Sequence, residues 1–286
     1  MSSRYLERPG EPRIAWTLDT PKEPARGRVL LVHGYAEHSA RYQRVVDLWT
    51  GRGLAVARLD LRGHGRSEGP RGHVATFSDY VSDVTGLLDA LREEEGWKGG
   101  DRPVVFGHSL GGLIASHSAL VLGDAIAGLA LTSPFLGTAR AVPPAQLALG
   151  KVLGRFVPTL RQPSGLKGSD CTHDAEIARR YDEDPLGFRH VTIGWFLAVG
   201  AAQRELLSRA PELRTPLFCI AAGDDRLVSL EATRRFFALA GSTEKELDVR
   251  DGLFHEVLNE LDWQAHATRL AEKMLGWSSA THARGS

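Results

Sequence analysis

The sequence is short of cysteine, of any excess charge and of long apolar runs, and each shortage removes a class of protein. Two cysteines, Cys171 and Cys219, in 286 residues do not indicate a disulfide framework. Cys219, inside Leu217-Phe218-Cys219-Ile220, reads as a buried free thiol, which fits a reducing cytoplasm. Lys plus Arg number 35 and Asp plus Glu 35, so nothing recommends nucleic acid as a partner. No apolar run is long enough to span a bilayer. Residues 1–13 are polar, carry Pro9 and Pro12 and lack the apolar core of a signal peptide, so a cytoplasmic protein is expected. The 11 histidines show no His-Glu-x-x-His spacing, and no paired Cys-x-x-Cys accompanies them. There is no Gly-x-x-x-x-Gly-Lys-Ser/Thr and no strand-linked Gly-x-Gly-x-x-Gly. The residues imply no metal, no nucleotide and no other cofactor.

What is present is an alternation of short apolar runs with helix-period segments. Strands are expected at 13–18, 28–32, 54–60, 103–106, 128–132, 216–221 and 246–249. Several are apolar throughout, as strands covered on both faces are. Helices are expected at 41–49, 77–95, 110–122, 230–239 and 263–275, with Thr76 or Ser78 capping the second. The alternation implies an α/β fold with a mostly parallel, doubly wound sheet. The first strand, with Pro9-Gly10 ahead of it, also fits an antiparallel hairpin element. The rhythm breaks between Ser133 and Arg214, where no good strand appears and prolines punctuate helical pieces at 145–157, 174–181 and 190–208. A structureless loop of that length is improbable in a compact domain. The organisation expected is a core of residues 1–133 and 214–286 with a helical cap, 134–213, inserted. The segment 146–157 is unusually apolar, and packs on the core, lines an acyl channel or touches lipid.

The most informative stretch is Val104-Val105-Phe106-Gly107-His108-Ser109-Leu110-Gly111-Gly112. An apolar strand runs into Gly-x-Ser-x-Gly, and an apolar helix follows. That turn exposes its central serine at a sheet edge, and the glycines give the backbone room. The motif alone is weak, because chance supplies it in roughly one in five chains of this kind. A second copy, Gly65-Arg66-Ser67-Glu68-Gly69, follows a strand-like run but leads into a loop. Ser164-Gly165-Leu166-Lys167 matches a Ser-x-x-Lys pattern but sits among helix breakers. Context selects Ser109 as the nucleophile.

A serine hydroxyl needs a base, and the base an orienting carboxylate, in the chain order Ser, acid, His. Asp224 and Asp225 follow the strand at 216–221, and position alone does not separate them. His255 follows the strand at 246–249 through a short loop. His266 sits in a helical pattern, and His282 in a polar tail expected to be disordered. Oxyanion donors are expected from the backbone N–H of Leu110 and of Tyr35, the latter in the loop after Leu30-Leu31-Val32.

With these residues in hand, the chain resembles the α/β-hydrolases of the monoacylglycerol lipase and lysophospholipase family over nearly its whole length. The resemblance rests on His33-Gly34-Tyr35-Ala36-Glu37-His38-Ser39-Ala40-Arg41-Tyr42, on Asp60-Leu61-Arg62-Gly63-His64-Gly65-Arg66-Ser67-Glu68-Gly69 and on the elbow at Ser109. Tyr181-Asp182-Glu183-Asp184-Pro185-Leu186, Asp225-Arg226-Leu227 and Phe254-His255 add to it. It implies Asp225 as the triad acid and a conformational loop at Gly65 to Gly69. It also implies a glycerol head held by Glu37, Arg41, His108 and Tyr181. Tyr35 and Leu110 depart from the residues common at their positions, and Tyr35 could narrow the alcohol pocket. The expected activity is ester hydrolysis of single-chain acyl lipids, best matched by monoacylglycerols, with small-molecule lipid as the partner and peripheral contact with a membrane or micelle through the cap. Lysophospholipase and broad carboxylesterase activities are the alternatives. The fold also hosts non-catalytic receptors, against which the complete Ser109, Asp225 and His255 set argues. A cofactor-free haloperoxidase shares the triad residues, but the helical cap and glycerol-type contacts argue against it.

Overall fold

The computed structural model describes residues 3–97, 102–140 and 142–282. A sheet of eight strands forms the centre, in the order β1-β2-β4-β3-β5-β6-β9-β10. These strands are β1 Arg4–Leu6, β2 Ile14–Asp19, β3 Gly27–Val32, β4 Leu54–Leu59, β5 Val104–His108, β6 Gly128–Thr132, β9 Leu217–Ala222 and β10 Lys245–Arg250. From β4 to β10 all neighbours are parallel, while β2 runs antiparallel to β4 and β1 antiparallel to β2. The N-terminal hairpin expected as an alternative is thus present. All seven expected strands appear, each displaced by two residues or fewer. β1, short and half-exposed, has too few apolar residues to declare itself.

The parallel strands are apolar throughout because both faces are covered. Along β3, Leu30 and Val32 point into one cluster and Val29 and Leu31 into the other, the period of two that a pleated strand imposes. The first cluster takes in α2 (Ser78–Leu91), α3 (Leu110–Leu122) and α6 (Ile193–Arg209), and the second takes in α1 (Gln43–Gly51) and α8 (Trp263–His282). α8 continues to His282, past the Leu275 expected from its apolar period, and so includes part of the tail expected to be disordered. Residues 283–286, the rest of that tail, lie outside the described residues. At the start of α2 neither Thr76 nor Ser78 caps the helix with its side chain; Phe77 occupies the cap position. The Thr76 hydroxyl instead bonds the Asp79 carboxylate at 2.8 Å.

Between β6 and β9 the chain builds α4 (Pro144–Phe156), β7 (Arg161–Pro163), α5 (Ala175–Glu183), β8 (His190–Thr192) and α6, and α7 (Leu230–Leu239) follows β9. The absence of strands expected there is corrected by β7 and β8, which pair antiparallel over three residues each. Strands this short carry no readable alternation. α6 consequently starts at Ile193 rather than His190, and the Thr192 hydroxyl accepts the Trp195 N–H at its N-terminus. α6 is fused to the core through Trp195, Val199, Ala202 and Leu206. α4 buries no residue. Leu149, Val152 and Phe156, spaced at three and four, stand out from it, with Phe156 78% exposed. The expectation that this face packs on the core is not met.

Candidate active site

Parallel strands deliver their following loops to one sheet edge. β3 leads to Tyr35, β5 to Ser109, β9 to Asp225 and β10 to His255, so four distant stretches of sequence converge there. Gly34, Tyr35, Ser109 and His255 all line one cavity of about 360 Å³.

Ser109 sits between β5 and α3 with φ 52° and ψ −117°. Such a backbone is strained for a residue with a Cβ and persists only where the surroundings dictate it. They do so here. The Ser109 N–H donates to the Thr132 carbonyl at 3.1 Å, and the Ser109 carbonyl accepts from Gly112, Leu113 and Phe135. A Cβ on Gly107 would collide with the Gly111 carbonyl, and one on Gly111 with the carbonyls of Val32 and His33. Both glycines are therefore required by close approach.

His255 donates from Nδ1 to Asp225 Oδ2 at 2.7 Å. Asp225 Oδ1 accepts the Leu227 and Val228 amides at 2.9 Å each. The neighbouring Asp224 is exposed. The geometry thus separates the two acids that position alone left open. Burial works against charge on Asp225, but His255 and these amides outweigh it and hold the carboxyl below its usual value. Burial opposes the His255 imidazolium too, yet the Asp225 carboxylate more than compensates and raises that group above an ordinary histidine. With the proton on Nδ1, Nε2 is the acceptor available to a hydroxyl.

Leu110 opens α3, so its N–H has no partner in the helix's own ladder. Among the described residues, the amides of Tyr35 and Leu110 donate in none of the turn, loop or cap hydrogen bonds. The Tyr35 side chain lines the cavity, and its hydroxyl turns away to donate to the His190 carbonyl at 2.8 Å.

The four residues expected at a glycerol head are not equivalent. Glu37, His108 and Tyr181 line the cavity and Arg41 does not. Arg41 lies behind the wall, donating to Glu37 at 2.6 Å and, through two nitrogens, to Glu256 at 2.9 Å, with its guanidinium over the Tyr181 ring. Glu37 also accepts the Gly34 amide and the Tyr42 hydroxyl. Burial works against charge on Glu256, but the Arg41 guanidinium holds its carboxyl well below the usual range. His108 shares a hydrogen bond with the Thr132 hydroxyl at 3.0 Å. Burial, reinforced by nearby His255, pushes His108 down to about 4 and keeps it neutral. Glu256 and Cys171, which line the cavity, and Tyr42 were given no place at the site from the sequence. Glu256 had only its place beside His255 to mark it, and its partner Arg41 is 215 positions away.

The other serine motifs have different surroundings. The Ser67 hydroxyl donates to the Asp60 carbonyl at 2.5 Å and accepts the Ala15 amide at 2.8 Å. Ser164 to Lys167 form no helix. His266, on α8, is buried and reaches Asp262 at 3.2 Å, so it is not a surface histidine. Both cysteines are free and buried.

A mostly parallel sheet flanked by helices, with a strained serine between strand and helix, is the architecture of an α/β-hydrolase. Comparison with known proteins agrees. The profile of the Hydrolase_4 family, described as serine aminopeptidase S33, matches residues 23–262. The chain belongs to that family. It is 33% identical to a monoacylglycerol lipase of Mycolicibacterium smegmatis, over 88% of this chain and 89% of that one. It is 29% identical to phospholipase YtpA of Bacillus subtilis, over 86% of this chain and 92% of that one. The crystal structure of Paleococcus ferrophilus monoacylglycerol lipase superposes with a TM-score of 0.84 at 28% identity, covering 93% of this chain and 99% of that one.

Proposed function

We propose that this protein is a carboxylic ester hydrolase that cleaves monoacylglycerols to glycerol and fatty acid. His255, oriented by Asp225, takes the proton of Ser109, whose oxygen attacks the ester carbonyl. The Tyr35 and Leu110 amides donate to the developing oxyanion. The protonated His255 then gives its proton to the leaving glycerol oxygen. A water molecule activated by His255 releases the fatty acid from Ser109 and restores the site. The observation that carries this reading is the meeting of a strained sheet-edge serine with an Asp225-paired histidine in one cavity. The lipase and phospholipase names of the relatives support the ester class.

The polar wall supports the neutral glycerol head. Two buried carboxylates, Glu37 and Glu256, share one guanidinium, Arg41, which leaves an excess of negative charge beside the cavity. Such a wall accepts hydrogen bonds from a polyol and repels a phosphate. Arg140 and Arg226, which also line the cavity, favour the second reading, a lysophospholipase. Residues 134–213 act as a cap over the acyl chain, and the exposed stripe on α4 rests on a lipid surface.

Ser109→Ala is expected to lose monoolein hydrolysis by at least a thousandfold. Retained turnover in the pure variant would sink the assignment. With the wild type, faster hydrolysis of lysophosphatidylcholine than of monoolein would select the second reading.

A further inference from the structure

The side chain of Tyr35 ties the loop after β3 to the segment between β6 and β9, as His38 also does through Asp184 at 2.9 Å. The Tyr35 ring lies 4.1 Å from the Trp195 ring, centroid to centroid, and 5.3 Å from Phe188. Its hydroxyl donates to the His190 carbonyl. His190 opens β8 and Trp195 belongs to α6, so both lie in the segment between β6 and β9. That segment is stitched at the same point to the loop after β4. The Thr192 N–H donates to the Gly72 carbonyl at 3.0 Å, and His190 Nε2 bonds the Arg71 carbonyl at 3.0 Å. Gly72 has φ 66°, and a Cβ there would stand 2.8 Å from the His190 carbonyl oxygen and 3.0 Å from the Tyr35 hydroxyl. The approach at this junction is as close as backbone allows.

We propose that the Tyr35 hydroxyl is a latch through which residues 188–195 set the position of the Tyr35 N–H. The inference rests on the reading of that N–H as an oxyanion donor. The donor sits in a loop just after β3, outside any helix or strand. Its orientation is therefore fixed by the flanking bonds. The Gly34 amide is held by Glu37. At Tyr35 itself the hold comes through the side chain, by the tilted contact of its ring with Trp195 and the bond to His190. A donor works only when it is fixed where charge develops, and loosening it lowers turnover more than binding. Tyr35 is thus a positioning residue, and the segment that covers the cavity also tunes the oxyanion site.

The test is Tyr35→Phe, which removes the hydroxyl while keeping ring and amide. The expected result on a monoacylglycerol is a fall in kcat of about tenfold with KM within twofold. Affinity for a boronic acid, whose tetrahedral serine adduct places an oxygen at the oxyanion position, should weaken in parallel. Gly72→Ala wedges the same junction from the other side. It is expected to reproduce the kcat loss, and the double variant should be no slower than the slower single. Turnover by Tyr35→Phe within twofold of wild type, or a change confined to KM, overturns the latch. Loss of kcat with unchanged boronic-acid affinity, or additive losses in the double variant, also overturns it. If Gly72→Ala fails to fold, Tyr35→Phe alone decides. Ser109→Ala run beside them separates the two ideas. An inactive Ser109→Ala with a fully active Tyr35→Phe removes only the latch, whereas an active Ser109→Ala removes the mechanism itself.

Discussion

At the scale of the residue, two serines in the same five-residue pattern meet opposite fates. Ser67 has both hydrogen-bonding capacities of its hydroxyl engaged by backbone. Ser109 has its backbone engaged instead, through one donated and three accepted bonds. A hydroxyl tied to buried peptide groups is structural, while a tied backbone with a hydroxyl facing a cavity is ready for chemistry. Ser67→Ala leaves the buried Ala15 amide without its acceptor, at a cost of about 1–3 kcal/mol. Chemical denaturation should show that loss, while fluorophosphonate labelling at Ser109 stays at the wild-type rate. Loss of labelling in a folded Ser67→Ala protein would contradict the distinction. The distinction was legible in the sequence only through flanks: a helix follows Ser109 and a loop follows Ser67. The choice of Asp225 over Asp224 needed either family likeness or coordinates, because adjacent loop acids differ in direction and not in pattern. The bracing of Arg41 by Glu256 gave no sequence signal, since spacing rules report neighbours along one element and not partners brought together by the fold.

At the scale of the element, legibility followed length and periodicity. Helices with several apolar turns, such as α3 and α7, were bounded to the residue, and the long parallel strands to within two. β1, β7 and β8 were missed, because three residues cannot display alternation. α4 was legible as a helix, but its surroundings were not. Leu149, Val152 and Phe156 form an outward stripe, and Val157 and Leu160 extend it. Lys151 and Arg155 are its charged residues and no acid accompanies them. An apolar stripe flanked by cations suits a surface of anionic lipid. The protein is therefore expected to co-sediment with vesicles containing phosphatidylglycerol more than with purely zwitterionic ones. Transferring a large apolar side chain is worth roughly 1.5–3 kcal/mol, so Phe156→Ser should weaken partitioning about tenfold. Hydrolysis of a water-soluble short-chain ester should be unchanged, because no α4 residue lines the cavity. Equal vesicle binding by wild type and variant would remove α4 from this role. No helix among the described residues is long and apolar enough to cross a membrane.

At the scale of the whole molecule, the buried histidines decide how the protein responds to pH. Burial depresses His33, His117, His108 and His64, the last two to about 4 and about 3. Each is neutral when folded. In the unfolded chain a histidine takes a proton near pH 6.5. Below that value the unfolded state binds protons that the folded state refuses, so stability falls as pH drops from about 6.5 toward 4. His255 has the opposite sign. Its folded value is raised, so its contribution is complete below about 6.5 and is lost as pH rises through the folded value. Burial lowers His73 as well, so five depressed histidines stand against one raised one, and the net slope on the acid side is toward unfolding. The proposed mechanism, in contrast, needs His255 neutral to accept the Ser109 proton, so kcat/KM should rise with pH through that raised value. The protein should work best on the alkaline side of neutrality and unfold steeply on the acid side, with the two limbs set by different histidines. His108→Gln tests the separation. Urea midpoints measured from pH 7.5 to 4.5 should fall less steeply in this variant than in the wild type, because one proton-binding difference is gone. Its activity is expected to drop, since His108 lines the cavity, but the pH at which the remaining activity rises should stay within half a unit, because a neutral neighbour places no charge on His255. A positive charge 4.9 Å from the His255 ring would hold His255 down, so its removal would move the limb upward. An unchanged stability slope, or an activity limb shifted upward by more than half a unit, would show that His108 is not held neutral in the folded protein.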